Sequence, residues 1–90
     1  MRTLVAIPVF NEERYVRQVL SRVLGHNPHV LVIDDGSTDQ TPRILPDFPV
    51  DMIRHATNAG YGKSLRDAFR FAIAEKYDWL ITMDLSLIHI

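Results

Sequence analysis

The segment VLVIDDGSTD, residues 30–39, joins a run of four aliphatic residues to a polar stretch rich in turn-forming residues. The aliphatic run predicts a β-strand that is covered on both faces, and the Asp-Gly-Ser-Thr sequence after it predicts a turn into a helix. Polar residues also end three other predicted strand segments, at residues 7–12, 54–58 and 81–84, and the first and third of these segments include an acidic residue. Because the carboxyl ends of parallel strands lie along one edge of an open sheet, where α/β proteins bind ligands, we expect these polar side chains to converge.

On both sides of this segment, short apolar runs alternate with stretches of helical periodicity. The first helix carries apolar residues at i, i+3, i+4, i+7 and i+8 from Val16, and we expect Asn11 to cap it and Gly25 to end it. The predicted strands are residues 4–9, 30–33, 50–54 and 79–83, and the first two predicted helices are residues 12–25 and 38–45. A third helix is predicted after a loop at residues 58–62, with its apolar stripe at Leu65, Ala68, Phe69, Ala72 and Ile73. This alternation predicts an α/β fold with a parallel sheet, right-handed crossovers and the strand order 3-2-1-4.

Composition restricts the classes of function. The 90 residues are 47% hydrophobic and 23% charged, as in a soluble globular domain, so we assign residues 1–90 to one domain. The net charge of −1 gives no general attraction to nucleic acid or to an anionic membrane, and we expect no nucleic-acid partner. The lack of cysteine excludes a disulfide framework and a thiolate zinc site. No apolar run approaches the roughly 18 residues of a membrane span, and we expect a cytoplasmic location.

Carboxylates follow two of the predicted strands directly. Asp34 and Asp35 follow strand two, where a carboxylate can accept hydrogen bonds from a base or ribose of a nucleotide. The same residues also suit an ordinary tight turn and helix cap, and both interpretations stay open at this point. Asp84 ends strand four and is either an oxygen ligand for Mg²⁺ or Mn²⁺ on a diphosphate or another cap. Because the strand order switches between strands one and four, we expect Glu12, Asp35 and Asp84 to line a crevice there.

The glycine-rich segment at residues 57–64 contains Gly-Lys-Ser, which ends a Walker A motif. Thr57 stands where that motif needs a glycine, and the segment follows strand three rather than strand one. The third glycine of the dinucleotide fingerprint is missing as well, so a P-loop enzyme and an NAD-dependent enzyme are disfavoured. The segment still predicts a helix start whose backbone N–H groups could meet a phosphate. The row of Lys63, Arg66 and Arg70 on that helix is typical of a solvated face.

The histidines offer no recognisable site. They show neither metal-ligand spacing nor an arrangement with Ser and Asp for nucleophilic catalysis, and we predict surface or loop positions for them. The four are His26, His29, His55 and His89. Two aromatic residues, Phe10 and Tyr61, lie in the edge loops, where a ring either stacks on a base or packs locally.

Four motifs follow one another along the chain at a characteristic spacing. They are IPVFNEE at residues 7–13, VIDDGSTD at residues 32–39, NAGYG at residues 58–62 and ITMD at residues 81–84. Together they closely resemble the family 2 glycosyltransferases, and the third is most similar to the branch containing dolichyl-phosphate mannose synthase and related polyprenyl-phosphate glycosyltransferases. The resemblance covers residues 3–84 but only the first, nucleotide-binding part of such an enzyme, so we expect the acceptor half to be absent.

This resemblance implies the Rossmann-like N-terminal half of a GT-A fold. In that fold Pro8, Phe10, Glu12 and Asp35 would surround the nucleoside of a nucleoside-diphosphate sugar. Asp34 and Asn58 complete the candidate substrate-binding set, which is Pro8, Phe10, Glu12, Asp34, Asp35 and Asn58. We assign no catalytic residue.

The resemblance also implies a divalent metal, Mg or Mn. Asp84 matches the first Asp of the family's Asp-x-Asp motif, and Ser86, a neutral and weaker ligand, stands where the second is expected. By this resemblance the metal would act as a Lewis acid for the departing nucleoside diphosphate, while a hydroxyl or phosphate oxygen of the acceptor, in this branch a polyprenyl phosphate, attacks the anomeric carbon. With half of this site and no acceptor half, we expect the chain to be inert in transfer by itself, and the full-length enzyme to work at the cytoplasmic membrane face. The alternative is a non-catalytic nucleotide-binding module or fragment that needs a partner chain.

Overall fold

The computed structural model describes residues 1–83 of the chain and confirms the α/β class. Strands and helices alternate, with one 3₁₀ turn after the second helix. Their bounds are β1 Thr3–Val9, α1 Val16–His26, β2 Val30–Asp35, α2 Thr41–Ile44, the 3₁₀ turn Leu45–Asp47, β3 Asp51–His55, α3 Tyr61–Ala74 and β4 Trp79–Thr82. Within residues 1–83, no helix is long and apolar enough to cross a membrane.

The four strands form one parallel sheet in the predicted order β3-β2-β1-β4. Strand β1 lies inside the sheet, with Val5 opposite Val30 on one side and Thr3 opposite Trp79 on the other. The start of β1 is also tied to the turn before β4, because the Arg2 backbone N–H donates to Asp78 Oδ2 at 2.8 Å. This order puts the carboxyl ends of β1, β2 and β3 side by side.

The two central strands are buried on both faces, which explains their continuous apolar runs. Alternate side chains of β1 and β2 point to opposite sides, as the period of two requires. One side packs against α1 and the second helical segment, in a cluster formed by Val5, Ile7, Val9, Val16, Val19, Leu20, Val23, Val30, Val32, Ile44 and Leu45. The other side packs against α3, in a cluster formed by Leu4, Ala6, Leu31, Ile33, Ala68 and Ala72. Each fully buried aliphatic side chain stabilises the fold by about 1.5–3 kcal/mol relative to an exposed one.

Two predicted helix ends are wrong. Helix α1 begins at Val16, so Asn11 does not cap it, and the residue before the helix makes no side-chain capping hydrogen bond. Asn11 instead adopts a left-handed backbone conformation with φ 52°, and its side chain reaches the loop after β2. Gly25 lies within the last turn rather than beyond it, because the helix continues to His26 and ends at an extended Asn27.

Helix α3 has the predicted spacing, but its apolar stripe is only partly buried. Ala68 and Ala72 pack under the sheet, whereas Phe69 is 57% and Ile73 is 76% exposed. The helix starts at Tyr61, within the predicted loop of residues 58–62 and directly after Gly60, whose φ of 97° lets the chain turn into the first helical residue. The small contact residues bring α3 close to β1 and β2, and its first turn therefore lies at the strand ends.

Candidate functional site

A cavity of about 300 Å³ opens at the carboxyl ends of β1 and β2, beside the first turn of α3. Its lining residues are Pro8, Val9, Phe10, Glu12, Asp35, Tyr61 and Ser64. It therefore brings together four of the predicted substrate-binding residues from two separate strand ends: Pro8, Phe10, Glu12 and Asp35. A larger cavity of about 360 Å³ lies on the α1 side, against Met83, and none of its lining residues within positions 1–83 is a carboxylate. The polar cavity at the strand ends is the candidate site.

The loop that carries Phe10 and Glu12 is fixed by hydrogen bonds to the segment after β2. Asn11 Oδ1 accepts the backbone N–H of Thr38 at 2.7 Å, and the Asn11 backbone N–H donates to Ser37 Oγ at 3.0 Å. The Glu12 backbone N–H donates to Thr41 Oγ1 at 3.0 Å. These contacts join two loops that are far apart in sequence, and they hold one wall of the cavity in place.

Asp39 supports the same junction from the β2 side. Its carboxylate accepts backbone N–H groups from Thr41 at 2.8 Å and from Glu13 at 3.2 Å. Burial acts to raise the pKa of Asp39, but the hydrogen bonds from Thr41 and Glu13 outweigh it and the pKa is lowered. Asp39 is therefore held as a carboxylate that orders both loops.

Asp35 lies where the cavity meets the loop after β3. Its Oδ1 accepts the Ala59 N–H at 2.8 Å and lies 2.7 Å from His55 Nδ1, while its Oδ2 accepts the Gly60 N–H at 3.0 Å. Burial acts to raise the pKa of Asp35, but the hydrogen bonds from Ala59, His55 and Gly60 outweigh it and lower the pKa. Asp35 thus lines the cavity and also organises the loop that leads into α3.

Asp34 has a different environment from its neighbour. Its side chain is buried, and Oδ1 accepts the Ser37 backbone N–H at 3.0 Å, which is the local turn contact that an Asp-x-x-Ser sequence allows. Its Oδ2 lies 3.9 Å from Arg54 Nε and accepts no hydrogen bond within the described part of the chain. Asp34 is not among the residues that line the cavity, and its place in the substrate-binding set stays a prediction.

The prediction of a surface or loop position is wrong for His55. It is the last residue of β3, and only 10% of its side chain is exposed. Its Nδ1 lies 2.7 Å from Asp35 Oδ1 and its Nε2 lies 2.6 Å from Asp67 Oδ2. Hydrogen bonds to Asp67 and Asp35 raise the pKa of His55, and burial opposes them more weakly. His55 therefore lies between two carboxylates, one from β2 and one from α3.

Asp67 is a site residue that the sequence analysis missed. The hydrogen bond to His55 lowers the pKa of Asp67 against the opposing effect of burial, and Lys63 Nζ, 3.6 Å from Asp67 Oδ1, adds to the lowering. The i,i+4 spacing of Lys63 and Asp67 on the helix was visible in the sequence. The pairing with His55 was not, because it depends on how α3 packs beside β3.

Two aromatic rings line the cavity, and a glycine near it makes a close backbone contact. Phe10 and Tyr61 are 44% and 54% exposed, so part of each ring is accessible to a ligand. At Gly36, φ is 78°, and a Cβ would lie 2.5 Å from the backbone of both Thr57 and Asn58. Asn58 does not line the cavity; its backbone packs against Gly36, which joins the loop after β2 to the loop after β3.

The predicted metal ligands, Asp84 and Ser86, lie outside the described residues. Within residues 1–83, no group of three or more His, Cys, Asp or Glu side chains could hold a metal ion. The predicted solvated row on α3 is exposed at Arg66 and Arg70, while Lys63 contacts Asp67.

Comparison with known proteins gives a consistent family assignment. The model of glycosyl transferase family 2 matches residues 4–88. An uncharacterised protein of Methanocaldococcus jannaschii is 34% identical over 85 residues, covering 87% of this chain and 37% of that protein. A polyprenol monophosphomannose synthase of Mycolicibacterium smegmatis is 32% identical over 91 residues, covering 92% of this chain and 34% of that protein.

A third relative, an undecaprenyl-phosphate mannosyltransferase of Micrococcus luteus, is 34% identical over 91 residues, covering 93% of this chain and 37% of that protein. The chain thus spans a little over a third of the length of these relatives. No solved structure matches it significantly. With the family model matching nearly the whole sequence, the chain belongs to glycosyl transferase family 2.

Proposed function

We propose that residues 1–90 form the donor-binding part of a glycosyltransferase that takes a sugar from a nucleoside-diphosphate sugar. The observation that carries this proposal is the strand-end cavity, where Asp35 and the rings of Phe10 and Tyr61 converge. The relatives named for polyprenol and undecaprenyl phosphate support a polyprenyl phosphate as the acceptor. Because such an acceptor is a lipid, we place the full-length enzyme at the cytoplasmic face of a membrane.

The cavity suits the nucleoside rather than the whole donor. Its volume of about 300 Å³ is at the lower end of the roughly 300–1,000 Å³ of small-molecule sites. The rings of Phe10 and Tyr61 are partly exposed and could stack on a base. Asp35 Oδ2 accepts one hydrogen bond from Gly60, and a carboxylate oxygen can accept a second. We assign that second acceptor position to an N–H of the base or a hydroxyl of the ribose.

The metal part of the proposal rests on Asp84 and Ser86. A divalent Mg or Mn ion would offset the charge of the departing nucleoside diphosphate, and oxygen ligands suit it. The residues that line the described cavity would bind and orient the nucleoside. Asp35 and the loop around it set that orientation.

Calorimetric titration of the full 90-residue chain with UDP and with GDP, with and without Mn²⁺, tests the nucleotide site. We expect one of the two to bind, and Asp35→Ala to weaken binding by on the order of tenfold, because it removes a charged acceptor. Asp51→Ala is the matched control, since Asp51 is exposed at the opposite end of β3. Far-ultraviolet circular dichroism confirms that each variant is folded. Equal binding by the wild type and Asp35→Ala would contradict the assignment.

A second titration tests the metal proposal separately. Ser86→Asp adds an anionic ligand two residues after Asp84, so we expect it to strengthen Mn²⁺-dependent nucleotide binding. The gain should require both Mn²⁺ and nucleotide, and it should vanish when Asp84→Ala is added. A Ser86→Asp chain that binds no better than the wild type would remove Asp84 from the metal site.

A further inference from the structure

We propose that His55 is a positioning residue for the donor cavity: as an imidazolium between Asp35 and Asp67, it holds the loop of residues 57–60 in its binding conformation. The link to donor binding rests on the function proposed above. We call the side chains of Asp35, His55 and Asp67 the clamp, because they join β2, β3 and α3. The clamp itself rests on the geometry of these three side chains.

The geometry requires both ring nitrogens of His55 to donate. Nδ1 lies 2.7 Å from a carboxylate oxygen of Asp35, and Nε2 lies 2.6 Å from one of Asp67. A neutral imidazole has only one N–H, so one of these contacts would set a nitrogen lone pair against a carboxylate oxygen. A doubly protonated ring forms two charge-assisted hydrogen bonds, and distances of 2.6–2.7 Å are at the short end for such bonds.

The charged groups around His55 also favour the doubly protonated form of its ring. Asp35 approaches from β2 and Asp67 from α3, while Lys63 on α3 lies behind Asp67, 3.6 Å from its Oδ1. The neighbouring Arg54 is directed to Asp34, with 3.9 Å between Nε and Oδ2. Two close carboxylates outweigh one more distant and half-exposed ammonium, in agreement with the raised pKa of His55 that the hydrogen bonds to Asp67 and Asp35 produce.

The clamp reaches the cavity through the loop after β3. The same Asp35 oxygen that meets His55 accepts the Ala59 N–H, and the other accepts the Gly60 N–H. Tyr61 follows directly and lines the cavity. When His55 loses its second proton, both carboxylates lose the neighbouring positive charge and one of them also loses its hydrogen bond, so we expect the Asp35 contacts to loosen. Nucleotide affinity should therefore fall as the pH rises through the pKa of His55.

Proton titration by NMR spectroscopy on the full chain, from about pH 5.5 to 9.5, tests the clamp without any ligand. We expect the His55 ring to titrate above pH 6.5, the ordinary value for a histidine side chain, because the hydrogen bonds to Asp67 and Asp35 raise its pKa. The backbone amides of Ala59 and Gly60 should show the same midpoint as His55, because they bond to the carboxylate that His55 holds. A His55 ring that titrates at or below pH 6.5, or amide chemical shifts that do not change at its midpoint, would overturn the clamp.

Affinity for UDP and GDP over the same pH range tests the positioning role. In the wild type we expect a fall of on the order of tenfold across the His55 midpoint, corresponding to one charge-assisted hydrogen bond. His55→Gln should bind more weakly at low pH and lack that midpoint, whereas His26→Gln should follow the wild type. The ligand's own phosphate titrates with a pKa of about 6. Its effect on affinity is the same for the wild type and the two variants, so it cancels when they are compared.

The two failures are distinguishable. If neither nucleotide binds to any variant at any pH, the proposed function is wrong, and the ring and amide titrations still decide the clamp. If a nucleotide binds but its affinity does not follow the His55 midpoint, the positioning role is wrong while the donor-binding function stands.

Discussion

Strands β2 and β4 flank the same central strand, yet their surroundings differ sharply. All six residues of β2 are buried, and the loop after β2 makes most of the contacts that shape the cavity. In β4, Trp79 and Ile81 are more than half exposed, although both are strongly apolar. The difference comes from position in the sheet, since β2 has a neighbour on each side whereas β4 is the last strand in the described order. The apolar character of a strand therefore does not by itself show whether the strand is buried in this molecule.

Two isoleucines provide the largest test of this contrast. Ile33 in β2 is fully buried and Ile81 in β4 is 51% exposed. Ile33→Ala should lower the free energy of unfolding by about 2–5 kcal/mol, because it removes buried methyl groups and leaves a cavity, and Ile81→Ala by about 1 kcal/mol or less. Urea unfolding followed by circular dichroism measures both.

A small domain has little stability to lose, so Ile33→Val is the milder partner, with an expected cost of about 0.5–1.5 kcal/mol. Comparable losses from Ile33→Val and Ile81→Val would show that β4 is as well packed as β2.

Two glycines test whether the contact between the loop after β2 and the loop after β3 is as tightly packed as the core. Gly36→Ala should destabilise the chain by more than about 2 kcal/mol, since it combines a positive φ with a Cβ placed 2.5 Å from the backbone of Asn58. Gly25→Ala, within α1 and with no atom near its Cβ, should instead stabilise the chain by about 0.5–1 kcal/mol. The same unfolding experiment compares them, and a neutral Gly36→Ala would mean that the β2 loop can move away from Asn58.

The pH dependence of the free energy of unfolding is the smallest expected effect. It tests the contribution of the clamp separately from the packing of the buried strands. The pKa of His55 is raised above 6.5, so its contribution is complete below pH 6.5 and is lost as the pH rises through the folded-state pKa. The pKa values of Asp35 and Asp67 are lowered below 3.8, so their contributions are complete above pH 3.8 and are lost as the pH falls through the folded-state values.

Stability should therefore show a plateau between these limits and decline on either side. Urea unfolding at a series of pH values measures this profile. His55→Gln should remove the alkaline decline, and His26→Gln should retain it. An alkaline decline that persists in His55→Gln would assign the effect to another group.

The sequence was sufficient for the fold because its strongest signals are local. Strands β1 and β2 are continuous apolar runs, and α1 has a clear helical stripe that begins at Val16, so element types and sheet order followed from them. Glu12 and Asp35 could be grouped for the same reason, since they lie at the ends of strands that the sheet brings together. Pro8 and Phe10 joined that group only through the family resemblance.

The missed features depend on contacts between distant elements. His55 and Asp67 are separated by twelve residues and lie on a strand and a helix, so no spacing rule links them. Asn11 had the residue type and position of a helix cap, but its side chain binds the backbone of Thr38 in another loop. Phe69 and Ile73 fit the apolar stripe of α3, yet the helix approaches the sheet through its alanines, which leaves these larger side chains outside.

The tie between the start of β1 and the turn before β4 affects the order of folding. Strand β1 can pair with β2 as soon as the chain has reached residue 34, but its other edge waits for the segment around Asp78 and Trp79. Parallel pairings at such a separation form slowly, because the intervening chain must be closed into a loop first. Until β4 arrives, the free edge of β1 offers unpaired N–H and C=O groups to any other strand. We therefore expect the three-stranded intermediate β3-β2-β1 to be the species most prone to aggregate during synthesis and refolding.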